Sequence, residues 1–239
     1  MKIIVFTDTH ANLPALRAFR RAIEREGYDL AVHTGDAVDI GPYPAESLAE
    51  LLSIPRVECV MGNHDAMFVH GIPDPLAGVI DGNEAEHCAW TARQLGEDFR
   101  ERLRHWPYVI PHEFNGLRVT FVHYGLSATL DGFVPAAIAD PTPADLDRIF
   151  GAFDTDLLFY GHSHPFSDVQ GRARYINPGA LGCFCRPLAR YCVLEFRPGG
   201  LGVTYKAAPY DDSVLRAEYA RRRVPAARFI LKEFFGKNL

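Results

Sequence analysis

Two histidines stand close together in the segment TDLLFYGHSHPF, residues 155–166. Four apolar or aromatic residues precede them, and a single glycine separates this run from His162 and His164. A short continuous apolar run that stops at a glycine is typical of a buried strand. An imidazole can bind a metal ion or transfer a proton. The segment therefore predicts a chemically active site at the end of a buried strand.

Polar residues of similar types follow four other predicted strands, at the point where each apolar run stops. These residues are Asp8 and His10, Asp36 and Asp39, Asn63 with His64 and Asp65, and His123. Open α/β sheets bind ligands at the carboxyl ends of their strands, so we expect these side chains to share one site. The strand ends contribute nitrogen and oxygen donors and no cysteine.

This donor set is too large for one tetrahedral zinc ion, and it suits two metal ions. Nitrogen and oxygen ligands without thiolate favour Mn, Fe, Zn or Co over Ca or Mg, and geometry would decide among them. Two such ions, about 3.5–4 Å apart, generate hydroxide at neutral pH and stabilise an in-line displacement at phosphorus. The candidate ligands are Asp8, His10, Asp36, Asn63, His123, His162 and His164.

The strands that carry these residues alternate with helices in the first half of the chain. Apolar runs at 2–6, 29–35 and 57–62 predict strands, and helical patterns cover 15–27 and 44–54. Continuous apolar runs separated by helices indicate strands that are covered on both faces. The first half is therefore predicted to be α/β.

The second half is predicted to be richer in strands, at 119–125, 156–161, 174–180 and 191–196. We expect a single domain over residues 1–239. Residues 66–107 contain a long amphipathic helix and are predicted to form an insertion or cap, with a role as a lid. Residues 210–239 are predicted to form a helical tail that is broken at Pro225.

Composition limits the classes of partner. The formal net charge of −5 argues against stable binding to nucleic acid or to an anionic membrane. No apolar run approaches the roughly 18 residues of a membrane span, and the first residues do not form a secretory signal. Five scattered cysteines indicate reduced thiols and a cytoplasmic protein. The sequence does not predict an oligomeric state.

The ordered motifs D-x-H, G-D, G-N-H-D, a lone histidine and G-H-x-H resemble the calcineurin-like metallophosphoesterase superfamily. The resemblance covers roughly residues 1–65 and 119–182, and it is strongest to small prokaryotic phosphodiesterases and phosphatases. It implies an α/β fold with a two-layered central β-sandwich of mixed sheets flanked by helices. It also implies two transition-metal ions and a phosphorylated small-molecule or nucleotide substrate, attacked by a metal-bridging hydroxide.

The resemblance assigns a role to each candidate ligand. Asp36 would bridge the two ions. The other ligands of the first ion would be Asp8, His10 and His164. Those of the second ion would be Asn63, His123 and His162.

The remaining motif residues would act on the substrate. His64 would assist the leaving oxygen, and Asp39 would pair with this histidine and orient it. Asp65 is predicted to tie its loop to backbone amides. Arg186 is predicted to reach a substrate phosphate, and Tyr124 to narrow the site or stack on an aromatic group of the substrate. The histidines predicted to pack or lie on the surface are His33, His70, His87, His105 and His112, of which His70 or His87 could face the site.

Several functions fit this pattern. A phosphodiesterase, with a nucleotide as one candidate substrate, is the first; a phosphomonoesterase or a dinucleoside polyphosphate hydrolase is the alternative. Ile40 and Met61 stand where eukaryotic-type protein phosphatases have phosphate-binding arginines, which argues against that phosphatase class. A scaffold without activity, similar to the retromer subunit of the superfamily, is a further alternative. A scaffold would not need all seven ligands together with His64 and Asp39.

Overall fold

The strands of the first half, which alternate with helices along the chain, form one side of a mixed five-stranded sheet. The computed structural model describes residues 1–72, 82–127, 132–133, 138 and 140–236. Strand β1 (Lys2–Phe6) pairs in parallel with β2 (Leu30–His33), which pairs in parallel with β3 (Val57–Cys59). On the other side of β1, the antiparallel strands β9 (Leu188–Arg197) and β10 (Gly200–Pro209) complete the sheet. Its order is β10-β9-β1-β2-β3.

A second five-stranded sheet, also mixed, comes from the later part of the chain. Its strands are β4 (Val109–Phe114), β5 (Leu117–Val122), β6 (Leu157–Phe159), β7 (Ser167–Gln170) and β8 (Arg174–Asn177). Their order is β4-β5-β6-β8-β7, with parallel pairing of β5 to β6 and of β6 to β8. In the first sheet β1, β2 and β3 run parallel, and in the second sheet β5, β6 and β8 do, so the carboxyl ends within each set point to the same edge.

Seven helices lie among the described residues. They are α1 (Leu13–Glu26), α2 (Pro44–Leu52), α3 (Asn63–His70), α4 (Gly82–Leu103), α5 (Pro143–Ile149), α6 (Asp212–Arg221) and α7 (Ala227–Phe235). The long helix expected within 66–107 corresponds to α4, which kinks at Gly96, where φ is 71°. The tail expected to break at Pro225 contains α6 and α7. None of the helices in these residues has the length and apolar character that a membrane crossing needs.

Apolar side chains hold these layers together. Ile3 and Val5 of β1 pack with Phe121 of β5 and Phe159 of β6, so the inner faces of the two sheets share one core. Outer faces are covered by helices, with α1 and α2 against the first sheet. Burial of this apolar surface is the main free energy that favours the sandwich. The predicted two-layered β-sandwich of mixed sheets flanked by helices is confirmed.

Candidate metal centre

The polar residues at the strand ends meet at one edge of the sandwich. The loops after β1, β2 and β3 come from the first sheet, and those after β5 and β6 come from the second. The structure brings together all the candidate ligands and the predicted catalytic pair: Asp8, His10, Asp36, Asp39, Asn63, His64, His123, His162 and His164. The site is thus a joint product of both sheets.

One cluster of donor atoms is formed by Asp8, His10 and His164. The Nε2 atoms of the two histidines are 3.1 Å apart. Asp8 Oδ1 lies 3.7 Å from His10 Nε2 and 3.6 Å from His164 Nε2. Three donor atoms at this spacing and burial can converge on one ion.

A second cluster is formed around Asn63. Its Oδ1 atom is 3.0 Å from His123 Nε2 and 2.8 Å from His162 Nδ1. Asp36 Oδ2 lies 3.1 Å from His123 Nε2 and 3.6 Å from His10 Nε2, a member of the first cluster. A carboxylate in this position can serve both clusters.

Hydrogen bonds to backbone carbonyls set the orientation of two ligand histidines. His10 Nδ1 donates to Val38 O at 3.0 Å, and His123 Nδ1 donates to Thr34 O at 2.8 Å. These bonds leave the Nε2 atoms to face the centre, as metal-binding histidines require.

The electrostatics of the site also suit cations. Burial lowers the pKa of His10 and His164, and it lowers that of His162 to about 3, so these imidazoles are neutral donors at pH 7. Burial alone would also lower the pKa of His123, but the charge of Asp36 outweighs it and raises that pKa to about 9. Positive charge is therefore favoured beside Asp36. The donor types, spacing and charge together fit metal ions.

The backbone at the site is strained in a way that aims the ligands. Non-glycine residues rarely adopt positive φ. Here φ is 51° at Asp8, 44° at His10, 60° at Asp36, 68° at His162 and 67° at His164. Such conformations persist only where surrounding contacts enforce them, and they are common at functional sites.

Asp65 supplies one set of those contacts. Its carboxylate accepts hydrogen bonds from the backbone N–H groups of Asp36, Ala37, Val38 and Gly62, at 2.9 to 3.3 Å. This side chain links the loop after β2 to the loop after β3, in agreement with its predicted structural position.

Two glycines allow the loops to approach closely. A Cβ atom at Gly62 would lie 2.2 Å from Asp36 N. At Gly161 it would lie 2.1 Å from Thr7 Oγ1 and 2.8 Å from Asp8 Oδ2. No real Cβ atom tolerates such distances, so a side chain at either position would displace a ligand loop.

His64 and Asp39 form a buried pair beside the clusters. His64 Nδ1 lies 3.0 Å from Asp39 Oδ2, and the backbone N–H of His64 donates to Asp36 Oδ1 at 2.9 Å. Burial disfavours the charged imidazole, yet Asp36 and Asp39 outweigh it and raise the pKa of His64 well above its usual value. The pair can hold a proton next to the metal clusters.

Helix α4 places two residues, Cys88 and His87, beside this pair. His87 is one of the two histidines that the sequence allows to face the site, whereas nothing in the sequence singles out Cys88. The Cys88 thiol donates to Asp39 Oδ2 at 3.4 Å. His87, next in the chain, is buried and lines a small cavity with His64. A lone cysteine within an amphipathic helix carries no signal for such a contact.

The two residues predicted to contact the substrate, Tyr124 and Arg186, differ in their exposure. Tyr124 is buried, with its ring centroid 4.7 Å from that of His162, and its hydroxyl accepts a hydrogen bond from Ile138 N. This position packs the ring against a candidate ligand and gives it no open face for a substrate. Arg186 is exposed, and among the described residues its side chain makes no hydrogen bond to the clusters.

A different arginine touches the site. Arg190 Nη2 donates to the backbone carbonyl of His164 at 2.9 Å, and its Nε donates to Ala180 O at 3.2 Å. Its guanidinium also lies 3.8 Å from the centre of the Phe184 ring. Arg190 was not identified in the sequence because it lies within strand β9, away from every motif.

Comparisons with known proteins are consistent with this geometry. A family model described as the calcineurin-like phosphoesterase superfamily domain matches residues 1–198. An uncharacterised protein of Methanocaldococcus jannaschii is 26% identical, covering 99% of this chain and 96% of the relative.

Two solved structures share the fold over nearly the whole chain. A hypothetical protein from Pyrococcus horikoshii has a TM-score of 0.81 at 20% identity, covering 100% of this chain and 99% of its own. A metallophosphoesterase from Sphaerobacter thermophilus has a TM-score of 0.71 at 24% identity, covering 99% and 100%. At these identities the likeness concerns the fold alone.

Proposed function

Because the chain belongs to the calcineurin-like phosphoesterase superfamily, we propose that it is a two-metal hydrolase that cleaves a phosphodiester of a small molecule or nucleotide. The observation that carries this proposal is the pair of donor clusters joined by Asp36, with His64 and Asp39 beside them.

The two clusters would hold the ions. Asp8, His10 and His164 would bind one, and Asn63, His123 and His162 would bind the other, with Asp36 shared between them. Bound there, Mn, Fe, Zn or Co ions would supply activated water and neutralise charge on the phosphate.

The chain's own residues would complete the reaction. His64 would give a proton or a hydrogen bond to the leaving oxygen as negative charge develops there. Asp39 would fix the orientation of the imidazole through its 3.0 Å contact with Nδ1 and would favour the protonated form.

The charge of the surroundings favours a diester. A phosphodiester carries one negative charge, whereas a monoester carries up to two. Among the described residues, no lysine or arginine forms an ion pair with Asp8, Asp36 or Asp39. Ile40 and Met61, which replace the arginines of protein phosphatases, are buried apolar side chains. A substrate with less charge to neutralise therefore fits better.

The proposal is tested by hydrolysis of bis-p-nitrophenyl phosphate and p-nitrophenyl phosphate. Metal-stripped protein is assayed before and after addition of Mn²⁺, with His64→Ala as the comparison. We expect metal-dependent cleavage of the diester, reduced roughly 100-fold or more by His64→Ala, as for loss of a general acid. Metal content measured on both proteins should be equal, because His64 is not a proposed ligand.

Two outcomes would contradict the proposal in different ways. Preference for the monoester would favour a phosphomonoesterase over a diesterase. Cleavage of neither ester by protein that binds two metal ions per chain would favour the scaffold function.

A further inference from the structure

Helix α4 brings a thiol to the buried pair of His64 and Asp39. His64 Nδ1 lies 3.0 Å from Asp39 Oδ2, and the Cys88 Sγ atom lies 3.4 Å from the same oxygen. One donor atom from each of the three residues lies within 4.8 Å of the other two. The three side chains thus place an imidazole nitrogen, a carboxylate oxygen and a sulfur atom around one point.

The types and spacing of these donors suit one tetrahedral ion. Zinc binds nitrogen and oxygen at about 2.0–2.2 Å and sulfur at about 2.3 Å, so the ligand atoms around it lie about 3.3–3.7 Å apart. The two distances to Asp39 Oδ2, 3.0 and 3.4 Å, are close to that spacing. Cysteine, histidine and aspartate are all zinc ligands, and a water molecule can take the fourth position.

Asp39 has capacity for a further ligand. Its side chain is 2% exposed, and its Oδ1 atom makes no hydrogen bond within the part of the chain that the structure describes. A buried carboxylate oxygen without a partner costs free energy, and a cation bound beside it would remove that cost. The carboxylate therefore offers an anionic oxygen in addition to its contacts with His64 and Cys88.

A cavity between α3 and α4 gives access to these donors. Its volume is about 210 Å³, and Asp39 and Cys88 are among its lining residues, whereas the seven proposed ligands of the two clusters are not. Cys88 is only half-buried, so solvent reaches it. Arg100 also lines the cavity, but its guanidinium donates to the backbone carbonyls of Phe68 and Val69. An ion can therefore reach Cys88 from outside the two clusters.

The sulfur atom distinguishes this set of donors from the two clusters. Those clusters offer nitrogen and oxygen donors only, whereas a thiolate is a soft ligand that favours Zn²⁺ over Mn²⁺. We propose that Asp39, His64 and Cys88 form a third cation site, which takes a thiophilic divalent ion such as Zn²⁺ and thereby inhibits hydrolysis. Binding at this site does not depend on the proposed function, whereas the inhibition rests on it.

Binding of a cation would take His64 out of the proposed reaction. His64 would lose the proton on Nδ1 and Cys88 would lose its thiol proton, both to solvent. His64 would then no longer form the imidazolium that gives a proton to the leaving oxygen. Asp39 would bind the ion and would no longer favour the protonated imidazole. Hydrolysis would therefore slow while the two clusters keep their own ions.

Cobalt gives a spectroscopic test of binding that needs no turnover. Co²⁺ bound by a thiolate shows a charge-transfer absorption in the near ultraviolet, which nitrogen and oxygen ligands alone do not produce. Metal-stripped protein is titrated with Co²⁺ in excess over the two proposed ions. We expect the band in wild type and in Cys185→Ser, which changes an exposed cysteine outside the cluster, and no band in Cys88→Ser. A band that persists in Cys88→Ser, or its absence from wild type, would overturn the third site.

Inhibition is measured with Mn²⁺-loaded protein and bis-p-nitrophenyl phosphate. We expect the Zn²⁺ concentration that halves the rate to rise at least about tenfold in Cys88→Ala and Cys88→Ser, because even the loss of an outer contact weakens metal binding by that factor. Cys88→Ser keeps a hydrogen-bond donor for Asp39, so it separates ligation from hydrogen bonding. Each variant is compared with its own rate without Zn²⁺, and exchange of Mn²⁺ for Zn²⁺ within the clusters affects all variants alike.

Failure of the third site and failure of the proposed function give different results. Equal half-inhibitory Zn²⁺ concentrations in wild type, Cys185→Ser and Cys88→Ser would overturn the inhibitory role. Wild-type protein that shows the cobalt band but does not cleave the ester would support the third site and contradict the proposed function, and with it the inhibition.

Discussion

At the scale of single residues, proton control in the proposed reaction would depend on the contact between His64 and Asp39. The His64 imidazole is nearly enclosed. Asp39 Oδ2 accepts hydrogen bonds from both His64 Nδ1 and the Cys88 thiol. Asp39 itself has a positive φ of 61°, a conformation that asparagine tolerates better than most residues. Substitution by asparagine therefore removes the charge with little change of the backbone.

We expect Asp39→Asn to lower kcat on the diester by roughly 10–100-fold, because the imidazole loses the charge that favours its protonated form. Metal content should be unchanged, since Asp39 belongs to neither proposed ligand set. The measurements are steady-state kinetics and metal analysis of the same preparation. Asp154→Asn, at a side chain that is 89% exposed, serves as the matched control. Parallel loss of metal and activity would show instead that Asp39 holds the metal loops together.

At the scale of elements, the loops after the strands matter more than the strands. Five of the proposed ligands have positive φ, and hydrogen bonds from four backbone amides to Asp65 enforce the path of two loops. Gly62 lies where these loops touch. Its missing side chain lets Asp36 approach the backbone of the next loop.

Gly62→Ala tests whether this close approach sets the metal centre. The new Cβ atom would lie 2.2 Å from Asp36 N and Oδ1, so the loops must separate. We expect the variant to bind less metal than wild type and to lose at least about tenfold in kcat/KM, since ligand placement has to be accurate to within about 0.5 Å. Gly82→Ala is the control, because a Cβ atom there has no neighbour within 4 Å. Full metal occupancy and activity in Gly62→Ala would contradict the argument.

The same elements explain what the sequence could and could not predict. Strands β1, β2 and β6 are buried on both faces, so they form continuous apolar runs, and the polar residues after them are easy to recognise. Strand β7 is half-exposed and was not predicted, since SDVQ has weak apolar periodicity. Strand β10 was missed although Leu201, Val203 and Tyr205 alternate with glycine or polar residues, which is the pattern of a half-buried strand. Strand β4 lies at the sheet edge, and Pro111 interrupts its apolar run.

Contacts between distant parts of the chain were also beyond prediction. Tyr219 Oη donates to Ile40 O at 2.8 Å across 179 residues. Arg190 donates to the carbonyl of His164, and the Cys88 thiol of α4 donates to Asp39. Such contacts depend on how helices pack onto the finished sandwich, and no local pattern encodes them. The motif residues were predictable because their types and their strand ends carry the signal together.

At the scale of the whole molecule, the candidate metal centre draws its residues from both sheets. Asp8, Asp36 and Asn63 follow strands of the first sheet, whereas His123 and His162 follow strands of the second. The donor atoms therefore converge only when the sandwich is assembled. Metal ions that bind the folded protein alone should stabilise it, and the gain should depend on the carboxylate that serves both clusters.

Thermal unfolding tests this coupling. At free Mn²⁺ about 100 times the dissociation constant, each site should add about 2.7 kcal/mol. For a chain of this size, the midpoint should then rise by roughly 5–11 °C for each site. Asn63→Ala removes a ligand from the second cluster only and should keep about half of the total rise.

Asp36→Asn is the decisive variant, because Asp36 Oδ2 lies 3.1 Å from His123 Nε2 and 3.6 Å from His10 Nε2. Loss of this charge weakens both proposed sites, so the Mn²⁺-induced rise should be smaller than in Asn63→Ala. Equal rises in the two variants would mean that Asp36 serves one ion, and the two clusters would then bind metal independently. A rise in wild type equal to that in Asp36→Asn would mean that Asp36 binds neither ion. No Mn²⁺-induced rise in wild type would mean that the ions contribute nothing to joining the sheets, and the apolar core alone would hold the sandwich together.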